Sequence, residues 1–403
     1  MSADKTKPTR IVWIVALIAI IVVNALFPVG CLNRSSSSPD DLNVKLERLV
    51  SEQVGKGKSV RNCVLSVTKG DGSYSWAGAA GIANEDGQVP MTKDTPIYIA
   101  SVTKLYTATA VMKLYEEGAL SLDDPMSKYL PPDLIRGIHV YKGKDYSNEI
   151  TIKQLLSNTS GIADYYTEKG KDGKSAFEIL AADPNSSWTV DGAIARTRDE
   201  LQPHFAPGTG AFYSDANFLL LGKIIENVAQ KPLQTVYEDY IFQPLGCTHT
   251  WLVNLSQPQV ASSAPADIFY NGRAITKMRL NGADWADGGI ISTAEDMIIF
   301  LKALNEGKIV NQDTVELMHD WHKLEFPIQY GYGTMHFQLP PLMSKLSGLT
   351  PLWGHSGSTG SFLYYSDDLN LYMAGSLDNV GPNYKPFMLM RGVMKLFASG
   401  STK

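Results

Sequence analysis

Cysteine is scarce: the 403 residues contain three, Cys31, Cys63 and Cys247, with no Cys-x-x-Cys spacing among them. A zinc ribbon and a thioredoxin-like redox pair therefore lack their ligand pattern. Cys63 and Cys247 read as buried free thiols packing as small apolar groups, a disulfide between them being the alternative. A surplus of one charge is also missing. The formal net charge is -5 and no long Lys/Arg run occurs, so a polyanion has no electrostatic footprint to bind and no nucleic-acid partner is expected. Neither the Gly-x-Ser-x-Gly elbow of α/β-hydrolases nor a Gly-x-x-x-x-Gly-Lys phosphate loop occurs, which removes the main support for those two enzyme classes. His319-Asp320-Trp321-His322 fits no standard zinc spacing and has no paired His-x-His beside it, so neither a metal nor a cofactor is expected.

What is present is an ordinary globular composition, 44% hydrophobic and 19% charged, with length enough for a large core or two lobes. Lys5, Lys7 and Arg10 precede the apolar run Ile11 to Val23, and Pro28, Gly30 and Cys31 follow it. That order is an n-region, an h-region and a processing region, so residues 1–31 are expected to be a signal peptide or a membrane anchor. Positive charge ahead of the run puts the remaining chain on the extracytoplasmic side of a bacterial cell membrane. Gly30-Cys31 resembles the end of a lipoprotein signal, which makes Cys31 the candidate lipidation site; the rival is an uncleaved helix, since Ile11 to Val29 is about long enough to cross a bilayer. Residues 32–41, with Ser35 to Ser38, form a polar linker that cannot pack a core. Residues 42–403 are the globular domain.

Along that domain a first helix is expected from Asp41 to Gly55. Two β-rich runs, Cys63 to Thr68 and Tyr74 to Gly78, flank the hairpin signal Gly70-Asp71-Gly72. Pro96 to Ile99 is extended and leads into a helical run from Ser101 to Glu117 that Gly118 terminates. The middle, about 120 to 290, reads as a helical lobe with long loops, including helices at Thr151 to Ser157 and Phe218 to Ala229. Period two then returns in Gly333 to Gln338, Ser361 to Tyr365 and Leu371 to Ser376, the last two joined through Asp367 to Asn370. An apolar helix closes the chain from Pro386 to Ser399. The fold class is thus mixed α/β of the α+β type: an antiparallel sheet completed by both ends of the domain, flanked by helices, with an inserted, mainly helical lobe.

Ser-Val-Thr-Lys occurs twice, at Ser66 to Lys69 and at Ser101 to Lys104. A three-residue spacing puts hydroxyl and amine on one face of a helix but on opposite faces of a strand. Ser66 lies in a strand, which leaves Ser101, placed where extended chain gives way to helix and where the positive dipole end favours an alkoxide. Lys104 becomes a base there if desolvation lowers its pKa. Taken singly, Ser101 reads as a helix cap, Tyr213 as a packed aromatic and His355 as a structural histidine, each ahead of a catalytic role. Their order along the chain changes that reading.

Ser101-Val102-Thr103-Lys104, Tyr213-Ser214-Asp215 and His355-Ser356-Gly357 follow one another as three elements do in the serine β-lactamases and penicillin-binding proteins, which the chain resembles over roughly residues 45 to 400. It is most similar to the branch holding class C β-lactamases, D-alanyl-D-alanine carboxypeptidases, D-amino-acid peptidases and esterases. Leu155 to Gly161 and Gly288 to Asp296 are also similar to segments frequent in that branch, where they are structural. The resemblance implies a β-lactamase/transpeptidase-like fold and an acyl-enzyme serine hydrolase acting on a small peptide or ester. Ser101 would be the nucleophile, with Lys104 and Tyr213 sharing the proton shuttle. His355 would lie on the edge strand of the site, and the backbone N–H groups of Ser101 and Ser358 would form the oxyanion hole. Asp215, Ser356 and Gly357 would line the substrate.

Two departures carry consequences. His355 stands where class C enzymes usually have Lys, so a substrate carboxylate would meet a weaker, pH-dependent cation. Asp215 stands where the family has Asn and would raise the pKa of Lys104, shifting proton transfer toward Tyr213. The alternative reading, kept open by these two residues, is a membrane-tethered penicillin-binding sensor or a non-catalytic binding protein. The tryptophans Trp76, Trp188, Trp251, Trp285, Trp321 and Trp353 read as core or cleft wall, none assigned to substrate.

Overall fold

The computed structural model describes residues 39–55, 60–183, 185–380 and 384–398. The expected signal or anchor, Cys31 and most of the tether lie outside the described residues. Among those described, no helix is long and apolar enough to cross a membrane.

Helix α1, Pro39–Ser51, starts within the stretch read as tether. Asp40 and Asp41 in its first turn and Arg48 in its last complement the helix dipole, and Lys45 pairs with Asp41 at 2.6 Å one turn apart. The chain then forms β1, Asn62–Lys69, and β2, Ser75–Gly81. Their hairpin turns at Gly72, whose φ of +74° is the left-handed conformation a glycine adopts without strain. Ile97–Tyr98 is β3, pairing with β5, Ile290–Ser292, which in turn pairs with β4, Trp251–Leu252, in a small three-stranded sheet.

The remaining strands are β6, His322–Glu325; β7, Ile328–Tyr330; β8, Met335–Phe337; β9, Leu352–Ser356; β10, Phe362–Ser366; and β11, Leu371–Ser376. With β1 and β2 they make one eight-stranded antiparallel sheet in the order β6-β7-β8-β9-β10-β11-β1-β2. The two ends of the domain therefore meet in mid-sheet, with Val67 opposite Met373 on β11 and Trp76 on β2. The chain shows the mixed α+β architecture expected, with two strands, β6 and β7, that the sequence reading did not separate from the preceding loops.

Side-chain alternation sends Cys63, Leu65 and Val67 of β1 to one face and Val64 to the other. The first face is covered by α1 and the C-terminal helix Tyr384–Ala398, whose Leu389, Met390, Val393 and Met394 recur at three and four residues and are buried. On the second face lie the helices α2, Thr103–Glu116, and α6, Ala294–Asn305, which makes the C-terminal helix α7. Thr293 caps α6 by accepting from Asp296 N at 3.2 Å. Helix α2 is buried almost all round, from Thr103 to Leu114, because the helical lobe covers its far side. That lobe contains α3, Ile152–Leu156; α4, Val190–Glu200; and α5, Asp215–Ala229. Cys63 and Cys247 are buried free thiols, and burial pushes both thiols far above the ordinary range.

Candidate active site

Ser101 sits in a short 3-10 turn, Ala100–Val102, that joins β3 to α2. The α-helix proper begins two residues later than the sequence suggested. The turn is fastened from both sides: Ser361 Oγ donates to Ile99 O at 2.7 Å, Thr359 Oγ1 to Tyr98 O at 2.8 Å, and Ile290 N to Thr103 Oγ1 at 3.1 Å. These bonds hold Ala100 at φ +47°, a conformation that costs a residue with a Cβ roughly 1–2 kcal/mol. A nucleophile carried on so constrained a turn is held in one orientation.

Lys104 is fully buried, with its ammonium at the centre of three acceptors. Nζ lies 3.1 Å from Ser101 Oγ, 2.6 Å from Asp287 O and 2.5 Å from Asp215 Oδ1. Burial alone would lower its pKa, but Asp215 and Asp287 outweigh that and hold it above the ordinary lysine value. The expectation that Asp215 keeps this lysine charged therefore agrees with the electrostatics of the site.

Tyr213 enters from the segment ahead of α5. Asn158, at φ +57°, accepts from Ser214 N at 3.1 Å and from Asn217 Nδ2 at 2.8 Å, so the Leu155 to Gly161 segment positions this motif. The Tyr213 ring lies 5.2 Å from Lys104 Nζ. Its hydroxyl is buried, without a hydrogen bond of good geometry. Burial, then the Asp215 charge, push the phenol well above its ordinary value, while the Ser101 hydroxyl beside it works the other way. Asp215 takes its position from Asp164, whose Oδ1 accepts from Asp215 N at 3.0 Å.

The third motif is arranged differently from expectation. His355 is fully buried on β9, its Nδ1 2.7 Å from Ser356 O and its Nε2 3.0 Å from the Tyr330 hydroxyl. A carbonyl facing Nδ1 places the proton there, so Nε2 accepts from Tyr330. Burial, then the Lys104 charge, push the imidazole down to about 3. The pH-dependent cation anticipated at this position is thus corrected: His355 is neutral across the neutral range because Tyr330 covers it. Ser356 turns to the Tyr364 hydroxyl at 2.8 Å. A Cβ on Gly357 would lie 2.5 Å from Ile99 O and 2.1 Å from Ser361 Oγ, so this glycine is needed where β9 packs against the nucleophile turn.

A cavity of about 520 Å³ is lined by Ser101, Tyr213, Asp215 and Ser358. Lys104 lies beneath it, while His355, Ser356 and Gly357 are not among its lining residues. Asp164, Asp284, Asp287, Gly288 and Glu325 also line it, and the sequence reading missed the four acids among them. Asp164 and Asp287 are buried, and both carboxyls are pushed up to about 7 by burial and then by Asp215. The signal for Asp287 was its place beside the Gly288 to Asp296 segment; Asp164 and Tyr330 carried none. Among the described residues, no group of His, Cys, Asp and Glu could hold a metal ion.

The profile of the Beta-lactamase family matches residues 46–383. A putative D-alanyl-D-alanine carboxypeptidase of Escherichia coli (strain K12) is 33% identical over 81% of this chain and 81% of its own. Protein flp of Staphylococcus aureus (strain N315) is 27% identical over 65% of this chain, which spans about half (49%) of that relative's length. Among solved structures, a D-stereospecific amidohydrolase from Streptomyces sp. superposes with a TM-score of 0.67 at 27% identity, covering 84% of this chain and 94% of its own.

Proposed function

The chain belongs to the beta-lactamase family, and from that premise we propose that it is a serine hydrolase that cleaves an amide or ester through an acyl-enzyme at Ser101. The observation that carries this reading is the 3.1 Å approach of Lys104 Nζ to Ser101 Oγ at the floor of a cavity lined by Tyr213. Lys104 remains a cation throughout and lowers the cost of negative charge on Ser101 Oγ. Tyr213, a phenol too weakly acidic to ionise, relays: its oxygen takes the serine proton while its own proton passes to the leaving group, so no tyrosinate forms. Oγ bonds to the acyl carbon, the leaving group departs protonated, and the oxyanion rests on the N–H groups of Ser101 and Ser358. Water then repeats the sequence in reverse and releases the acid. His355 and Tyr330 support the Tyr213 ring, 6.3 and 5.6 Å away between centroids.

The Lys104–Asp215 ion pair also favours a second reading, a penicillin-binding sensor that acylates and does not turn over, because a lysine held charged is a poor base for the second step. In either reading residues 1–31 tether the domain to the outer face of a bacterial membrane. A panel of p-nitrophenyl esters, D-amino-acid peptides and a chromogenic cephalosporin separates the two. The hydrolase reading predicts repeated turnover that Ser101→Ala lowers by at least about a thousandfold. A single stoichiometric burst with stable label would establish the sensor, and turnover persisting in Ser101→Ala would overturn both.

A further inference from the structure

An unbroken line of polar contacts runs from the surface of the molecule to the nucleophile. His204 is stacked on Phe212, the residue ahead of Tyr213, with ring centroids 3.6 Å apart. Its Nε2 lies 3.0 Å from Glu168 Oε2, and the same oxygen accepts from Asp164 N at 2.6 Å. Asp164 Oδ1 accepts from Asp215 N at 3.0 Å, Asp215 Oδ1 pairs with Lys104 Nζ at 2.5 Å, and Nζ lies 3.1 Å from Ser101 Oγ. The outer two side chains are each 27% exposed, while Asp164 is only 1% exposed.

As a surface ion pair alone, His204 and Glu168 would matter little. Their connection inward is what distinguishes them. Glu168 N donates to Asp164 O at 3.1 Å while Glu168 Oε2 accepts from Asp164 N, so one residue engages both main-chain polar groups of Asp164. The preceding residue is tied separately to the second motif, Ser214 Oγ donating to Ala163 O at 3.0 Å. What Glu168 adds is therefore the orientation of Asp164, and through it the placement of Asp215 against Lys104.

We propose that Glu168, seated by His204, is a positioning residue for the Lys104–Asp215 ion pair, and so sets how firmly the lysine beside Ser101 is held as a cation. Attraction between buried charges falls as they separate. A displaced Asp215 would hold Lys104 charged less strongly, while burial, which works the other way, would stay as it is. Neither His204 nor Glu168 lines the cavity, so both act on the reaction only through Asp164.

This inference rests on the serine-hydrolase reading, in which Lys104 serves as a cation. Its test follows the rate of fluorophosphonate labelling at Ser101 against pH in the full chain. Glu168→Ala is expected to move the alkaline limb to lower pH by about half a unit or more, a rate about threefold lower beyond the limb, in the direction expected of Asp215→Asn. His204→Ala moves it the same way by less, and stands in if Glu168→Ala does not fold. Glu168→Gln keeps an oxygen for both donors and should match the wild type. Added to Asp215→Asn, Glu168→Ala should shift the limb no further, because its route to Lys104 is already cut. A limb unmoved in Glu168→Ala or His204→Ala would reduce the pair to a surface staple and overturn the proposal. So would a limb moved equally by Glu168→Gln, or a full further shift on top of Asp215→Asn, since either would mean that the Glu168 charge acts directly through space. A wild type not labelled at Ser101 sinks the hydrolase reading and this inference with it; labelling with an unmoved limb sinks this inference alone.

Discussion

Lys104 shows why one side chain cannot be assigned a role from its spacing alone. Three residues after a serine, on a helix, it was legible as the partner of Ser101. Its protonation state was half legible, through Asp215. The rest depends on Asp287, whose backbone carbonyl 2.6 Å from Nζ is 183 residues away in sequence and carries no motif. Replacing Asp215 by Asn removes the first of the charges that hold Lys104 above its ordinary value, so its pKa falls. If the cation is what catalysis needs, the alkaline limb of the kcat/KM profile moves to lower pH in Asp215→Asn; a profile superimposable on the wild type removes that role. His355 makes a stability statement. Its folded value of about 3 lies below the ~6.5 of an unfolded histidine, so its contribution is complete above pH 6.5 and is lost as pH falls toward 3. Thermal melts should show the advantage of wild type over His355→Gln shrinking between pH 7 and pH 4, by at most about 1.4 kcal/mol per pH unit. An advantage that stays constant would mean the imidazole titrates normally. Trp353 and His355, two residues apart on β9, are both buried, but no strand was expected there from periodicity.

At the scale of elements, the strands and helices with clean periods were legible: β1, β2, β10, β11, α2 and α7. The segments that position the site are turns, and turn geometry is set by what packs on it. Gly357 was read as a place where substrate comes close, yet the backbone that approaches it is that of Ile99. Gly357→Ala should displace the nucleophile turn, costing about 1–3 kcal/mol of stability as an overpacked contact and about tenfold or more in kcat, measured by melts and ester hydrolysis. Retained kcat with lowered stability would mean the strain is absorbed away from Ser101. Asn158 fastens the second motif by two bonds to its Oδ1. Asn158→Ala leaves Ser214 N buried without a partner, about 1–3 kcal/mol, and should lower kcat, since it loosens the Tyr213 that relays the proton. A pure KM effect would place Tyr213 in binding alone.

Across the whole molecule, the sheet joins β1 near one end of the domain to β11 near the other, and α1 and α7 close over the same face. That architecture was legible because strand patterns bracket a helical middle. The gathering of Asp164, Asp284, Asp287 and Glu325 around one cavity was not, because the three aspartates lie outside helices and strands and Glu325 ends β6, and only the packed lobes bring them together. The central claim is that this packing makes one serine, among many, reactive. Its most direct test is peptide-resolved mass spectrometry of the full chain after brief exposure to a fluorophosphonate. The account predicts one adduct per chain on Ser101, formed at least about a hundredfold more slowly in Lys104→Met. An adduct on another serine, or a rate at Ser101 indifferent to Lys104, would contradict it.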